Sequence, residues 1–397
     1  MTSNLYAIPF AMFLVILPFP GTVALRLLLL FTCFGIAIRN WYLDPSVRVA
    51  IPGRIPIVFW LAVSLASLLY SVDPTYSAGE LKNELGYTMI AFGAFFVIAR
   101  NSSLCVLALR AAVLGLLLIG GWAFLAWLGN GFVWDEEGRY GGTGVFATYL
   151  VTLLPALVYL AQEDPARPIR KMTWVLIVFV LGLALICMQR AIWPAIAAQG
   201  LVALYMLRYR KGAAIFARWR LGLGVLVVLL AAGALQVSQQ LRYKGHASDA
   251  NRTTLSADVR YDFWPKVAEK ILEHPLTGAG FGRQVMRKAY PELVPGDYTL
   301  LWHAHNMVLN YGLTAGLPGI FAILVLFVGL GSAFWRFSRE FGSAAGTAGL
   351  MLVVGVLVRN QFNDFFVRDM SLMFWAYVGL FMSRAMVEAE QGRVQCA

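Results

Sequence analysis

Long apolar runs separated by short polar connections occupy almost the whole chain. A helix needs about 17–25 predominantly apolar residues to cross a bilayer core, and twelve segments approach or reach that length. They lie near residues 5–18, 22–38, 55–71, 85–99, 104–128, 143–161, 172–188, 191–207, 215–236, 306–334, 343–359 and 370–386. The turn Pro18-Phe19-Pro20-Gly21 separates the first two and is expected to keep both helices short. No basic n-region or small-residue cleavage site marks the N-terminus, so the first run reads as a retained helix. The pattern predicts an all-α, polytopic integral membrane protein, because a helix satisfies its own backbone where no water is present.

One connection breaks the rule of short loops. Residues 237–304 form a long polar segment with an amphipathic helix in it: Val259, Phe263, Val267 and Ile271 recur at helical spacing, with Trp264, Ala268 and Leu272 beside them. Ser256 is the expected N-cap, Pro265 is expected to kink or shorten the helix, and Glu273-His274-Pro275 ends it ahead of Gly278, Gly280 and Gly282. Such a loop suits packing on the membrane surface or over the helix bundle. The chain therefore divides into residues 1–236 with spans one to nine, the loop 237–304, and residues 305–397 with spans ten to twelve and a tail. No internal repeat or low-complexity tract is evident.

Composition agrees, since hydrophobic residues make up 59% and charged residues 13%, against about 25% charged in soluble domains. In a soluble protein the net charge of +11 would suggest nucleic acid; here it divides between two membrane faces, and no nucleic-acid partner is expected. The even-numbered connections hold Arg39, Arg48, Arg54, Arg100, Arg167, Arg170, Lys171, Arg208, Arg210 and Lys211 among others, whereas the odd-numbered ones collect Asp73, Glu80, Glu84, Asp364 and Asp369. By the positive-inside rule both termini are cytoplasmic and the long loop is outside. Cys33, Cys105, Cys187 and Cys396 have the spacing of neither a metal site nor a disulfide framework.

Candidate chemistry gathers where the loop meets the tenth span, in Leu300–Gly319. His303 and His305 stand there, and a neutral imidazole can accept a proton near neutral pH. His305 fits either a general base or a histidine capping a helix terminus. His303, two residues away, is not expected to share its helical face, so at most one of them is the base. Arg190, between two apolar runs, fits an arginine snorkelling at the interface or a phosphate ligand whose planar fork pairs with phosphate oxygens. Arg260 lies one helical turn before Trp264 and reads as a solvated loop residue or as a ligand on the same face. Gly278-Ala-Gly-Phe-Gly282 follows no strand and suits a close backbone approach better than a phosphate cradle. Asp135-Glu-Glu137 reads as a solvated outer loop, so no metal site and no cofactor are expected.

Taken together, these residues resemble a known family. His305-Asn306, nine residues, Gly316, two residues and Gly319 look like the signature of the O-antigen ligase and polymerase superfamily. Arg260 with Trp264, then His274-Pro-Leu-Thr-Gly-Ala-Gly-Phe-Gly282, is similar to that family's stretch before the histidine, and Arg190 matches its arginine at the outer end of a mid-chain span. The resemblance implies a multi-pass transferase of the bacterial inner membrane acting on the periplasmic face. Its donor is a glycan on undecaprenyl diphosphate and its acceptor a sugar hydroxyl, on the lipid A core if the protein is an O-antigen ligase. His305 is then the base, Arg190 and Arg260 the diphosphate ligands, and Asn306, His303 and Trp264 supporting residues. The alternatives are the superfamily's polymerase, an O-linking oligosaccharyltransferase, or, from another class, a secondary transporter. Against the transporter stand the absent repeat and the placement of ionisable residues at span ends.

Overall fold

A computed structural model describes residues 5–132, 134, 140, 142–187, 189–211, 260–293 and 303–396. Fourteen α-helices occur among them: α1 (Ile8–Ile16), α2 (Val23–Leu43), α3 (Arg54–Ala66), α4 (Pro74–Leu81), α5 (Tyr87–Ile98), α6 (Ser102–Gly129), α7 (Thr143–Glu163), α8 (Arg167–Ile186), α9 (Ile192–Lys211), α10 (Arg260–Glu273), α11 (Val285–Ala289), α12 (Met307–Phe341), α13 (Ala344–Arg359) and α14 (Arg368–Cys396). No strand appears among the described residues. The chain is an all-α polytopic membrane protein. Among the described residues six helices are long and apolar enough to cross a membrane: α2, α6, α7, α8, α12 and α14. The span expected near 215–236, with Ser256, Val259 and Asp135-Glu-Glu137, lies outside the described residues; each of the other eleven spans falls on a helix.

Two local expectations need correction. The turn at Pro18–Gly21 leaves α1 at 9 residues, but α2 runs for 21, because no proline follows Pro20 until Pro45. Pro265 does not end α10, which continues through it to Glu273. A proline this close to a helix start removes only one early backbone bond.

α14 packs against α5, α13 against α9, α7 and α12, and α12 against α3, with α2 and α8 at the rim. Small residues let the backbones close: Gly379 on α14 abuts the Phe92 carbonyl of α5, and Gly115 on α6 abuts the backbone of Val15. At the centre Trp60 and Trp375 stack with ring centroids 5.4 Å apart, and the Trp60 indole donates to the Tyr311 hydroxyl at 3.1 Å. The buried amide of Gln199 joins three helices, donating to the carbonyls of Val151 at 2.8 Å and Met351 at 3.1 Å. By contrast α2 and α8 leave Leu28, Trp174, Val175 and Val178 exposed, the apolar surface that a lipid-facing helix presents.

Polar contacts gather at the two ends of the bundle. At one end Arg100 pairs with Glu390 at 3.0 Å, Arg110 holds Asp164, and Ser343 donates to Glu388 at 2.7 Å. At the other end Arg26 meets Asp369, Gln189 donates to Thr143 at 2.6 Å, and Arg359 donates to the Gly144 carbonyl at 3.0 Å.

Candidate active site

The second of these ends is built around a break in α12. Ala315 (φ −140°) and Gly316 (φ 64°, ψ −153°) leave helical geometry, so the helix is two pieces rather than the single span expected. Leu313 and Thr314 then have carbonyls without helical donors, since the chain turns away and Pro318 has no N–H. The glycine stretch supplies them: the amide of Ala279 donates to Leu313 at 2.7 Å and that of Gly280 to Thr314 at 3.0 Å. In return the Leu317 amide donates to the Pro275 carbonyl at 2.7 Å. On its far side the same stretch takes a bond from the Val72 amide at 3.1 Å and one from the Ser77 hydroxyl to Phe281 at 2.8 Å. Gly278-Ala-Gly-Phe-Gly282 is thus a strap inserted between α12 and the α3–α4 connection, with positive φ at all three glycines. It makes the close backbone approach expected of it.

α10 lies over this break. Phe263, Val267 and Ile271 are buried, as their spacing predicts, against Ala279, Val285, Met286 and Leu313. Its packing is on α12. Outside the spans, Lys270 bridges Glu273 and Glu292, whose carboxylates hold its ammonium above the usual range. Lys288 pairs with Asp73 and holds that carboxyl below its usual range. Burial pushes the Tyr76 phenol up to about 12, so it is neutral where it accepts from the Gln284 amide at 3.3 Å. Together these contacts tie the loop to the bundle.

Neither histidine is helical. Asn306 is the N-cap of α12, accepting from the Leu309 amide at 3.0 Å, so His305 stands before the helix and is not its cap. His305 has φ 51°, a conformation uncommon for a residue with a Cβ and frequent at functional sites. Its amide donates to Nδ1 of His303 at 3.0 Å, and the two rings lie 4.0 Å apart between centroids, tilted by 34°. The expectation that His303 stands apart is therefore wrong, because outside a helix alternate residues can face each other. Several bonds hold this turn. Asn310 accepts from the Ala304 amide at 2.8 Å, and Trp264 donates to the Ala304 carbonyl at 2.8 Å. Asn306 donates to the Gln361 carbonyl at 3.0 Å, and the Met307 amide donates to Asn360 at 2.9 Å.

The last two partners belong to the connection between α13 and α14, which sequence reasoning did not single out. From it Asn363 Oδ1 lies 3.0 Å from His305 Nδ1, and the Asp364 carboxylate accepts from Asn310. Arg283, just after the strap, donates to the Asp364 carbonyl at 2.7 Å. A cavity of about 30 Å³ adjoins these groups, lined by Glu84, Arg283, Asn310, Tyr311 and Asp364. The signal for this segment was the polar run Asn360-Gln-Phe-Asn-Asp364 between two apolar spans.

Arg190 sits at the same end. Its neighbour Gln189 reaches Thr143, and Gly144 takes Arg359, which precedes the connection that meets His305. Arg260 is the first residue of α10, one turn before Trp264; its side chain lies outside the described residues. The structure thus brings His303 and His305 into contact in the turn before Asn306, with Trp264 bonded to the Ala304 carbonyl between them, and sets Arg190 at their end of the bundle. Among the described residues no group of three or more His, Cys, Asp or Glu side chains is arranged to hold a metal ion.

Fold and site define a polytopic membrane protein with a histidine-centred polar site at one end of its bundle. The family model described as O-antigen ligase matches residues 172–324, a stretch that runs from α8 past the break in α12 and includes Arg190, Arg260, His305, Gly316 and Gly319. That match supports the O-antigen ligase and polymerase superfamily, whose members are glycan-transferring enzymes. No curated protein matches it.

Proposed function

We propose that the protein is an O-antigen ligase, which moves a preassembled glycan from undecaprenyl diphosphate to the outer-core sugar of lipid A. The acceptor hydroxyl attacks the anomeric carbon. The new C–O bond forms as the bond from that carbon to the diphosphate oxygen breaks, and its electron pair leaves with undecaprenyl diphosphate. The hydroxyl proton passes to the His305 imidazole, which later releases it to water. Arg190 and Arg260 stabilise the charge that grows on the diphosphate, and guanidinium groups do so without a divalent ion. Direct displacement inverts the anomeric centre.

The observation that carries this reading is the grouping, at one end of the bundle and within the family match, of His305, Arg190 and the helix that begins at Arg260. The amphipathic loop 237–304 handles the lipid-linked donor, while residues 1–236 and 305–397 form the bundle. In this reading the protein sits in the bacterial inner membrane with its site facing the periplasm and both termini in the cytoplasm. Isolation of the lipid-linked species from a strain lacking the protein tests it. Full-length lipid-linked glycan should accumulate while lipopolysaccharide loses its cap. Accumulation of single repeat units would instead make the protein the polymerase, and loss of glycan from proteins alone an O-linking oligosaccharyltransferase.

A further inference from the structure

Two histidines meet at the site, and their hydrogen bonds give them opposite tautomers. His303 Nδ1 accepts the His305 backbone N–H at 3.0 Å, so a neutral His303 carries its proton on Nε2. His303 is only 3% exposed, and the bond it accepts holds the left-handed backbone of its neighbour. The His305 ring is oriented from the other side, by Asn363 Oδ1 at 3.0 Å from Nδ1. A carboxamide oxygen only accepts, so the ring nitrogen facing it must bear the proton. The lone pair is then on Nε2.

We propose that Asn363 is the positioning residue that keeps His305 in its Nδ1–H form, with Nε2 as the atom that takes the acceptor's proton. This rests on the reading of His305 as the base. Asn363 never touches the reacting atoms; it acts through the imidazole. The segment that carries it is itself fixed at several points. The Asn360 side chain accepts from the Phe365 amide at 2.7 Å, and Asp364 is held by Asn310 and by the Phe366 amide at 3.0 Å. The ring therefore meets an acceptor held in place before substrate arrives, which orients a base more effectively than a mobile side chain does. Among the described residues, the titratable and charged groups around it include His303 beside it, Asp364 on the connection, Arg359 at the end of α13, Arg283 beyond the strap, and Glu84 and Tyr311 along the cavity.

The test compares Asn363→Asp and Asn363→Leu in the full-length protein, using pH–rate profiles of glycan transfer with lipid-linked donor. Aspartate keeps an acceptor on Nδ1–H and adds a negative charge that favours the imidazolium. Since the base must be neutral to act, the acid limb should move up by about one pH unit, with the plateau near wild type. Leucine removes the acceptor, so the plateau should fall about tenfold or more, with KM for the donor unchanged. The proposal is overturned if Asn363→Asp lowers the rate equally at every pH without moving the limb, or if Asn363→Leu turns over like wild type. A His305→Ala protein run alongside separates the two levels: if it is inactive while the Asn363 profiles stay unshifted, His305 remains the base and only the role of Asn363 falls. If His305→Ala is fully active, the reading of the site falls first.

Discussion

Replacing His305 with alanine should slow glycan transfer by about a hundred- to ten-thousand-fold, the range that a positioned general base contributes. The protein should still fold. The turn that carries His305 is held by bonds to the backbone of Ala304, the side chains of Asn306 and Asn310, and the Asn360 carbonyl. None of them uses the His305 ring. Alanine meets the same left-handed backbone at φ 51° that histidine already adopts, so no new steric cost arises there. In the proposed mechanism the arginines and not the imidazole hold the diphosphate, so donor binding should persist. The measurement is single-turnover transfer by purified protein, with the thermal midpoint in detergent as the folding control. Wild-type turnover in His305→Ala would remove the imidazole from the chemistry.

The second large effect should come from a residue that touches no substrate. Gly316 adopts φ 64° and ψ −153°, a region open almost solely to glycine. A Cβ at this position would run into the Pro275 carbonyl and press on that of His274. The backbone there is already committed, because the Leu317 amide donates to that same Pro275 carbonyl. Gly316→Ala should therefore cost about 3 kcal/mol or more, combining an unfavourable backbone conformation with displacement of the strap. Gly331, further along the same helix, provides the control. A Cβ there meets only Val353 at 3.8 Å and Leu350 at 3.9 Å, so Gly331→Ala should leave the midpoint unchanged or raise it slightly. Equal thermal midpoints for the two variants would show that the break in α12 does not depend on Gly316.

The consequence for the site is mechanical. Met307–Thr314, the short piece of α12 ahead of the break, carries Asn310 and starts at the Asn306 cap. At its far end the strap bonds Leu313 and Thr314. Loss of the strap would remove those two bonds from the piece that follows the His305 turn.

The bundle was legible because each helix advertises itself: an apolar run of bilayer length is a local property of the chain, and so are charge alternation and the Phe263, Val267, Ile271 stripe. Local patterns also placed His305 and Arg190 at helix ends. What escaped was the meeting of segments distant in sequence. That Asn363 would face His305, or that the amides of Ala279 and Gly280 would complete the broken α12, depends on contacts across more than thirty positions, and no periodicity encodes them. Some cues were present. Gly316 followed by Pro318 inside an apolar run is poor helix chemistry, and it marks the break. The two histidines were separated by helical-face reasoning that fails because the helix begins only at Met307.

The proposed mechanism requires a diphosphate between Arg190, the start of α10 and the His305 ring. A structure of the protein with a non-hydrolysable undecaprenyl diphosphate glycan analogue tests it most directly. Paired phosphate oxygens should lie on the Arg190 guanidinium, with the anomeric carbon turned toward His305 Nε2. A diphosphate found at the opposite end of the bundle, beside Arg100 or Arg110, or bound far from His305, would contradict it.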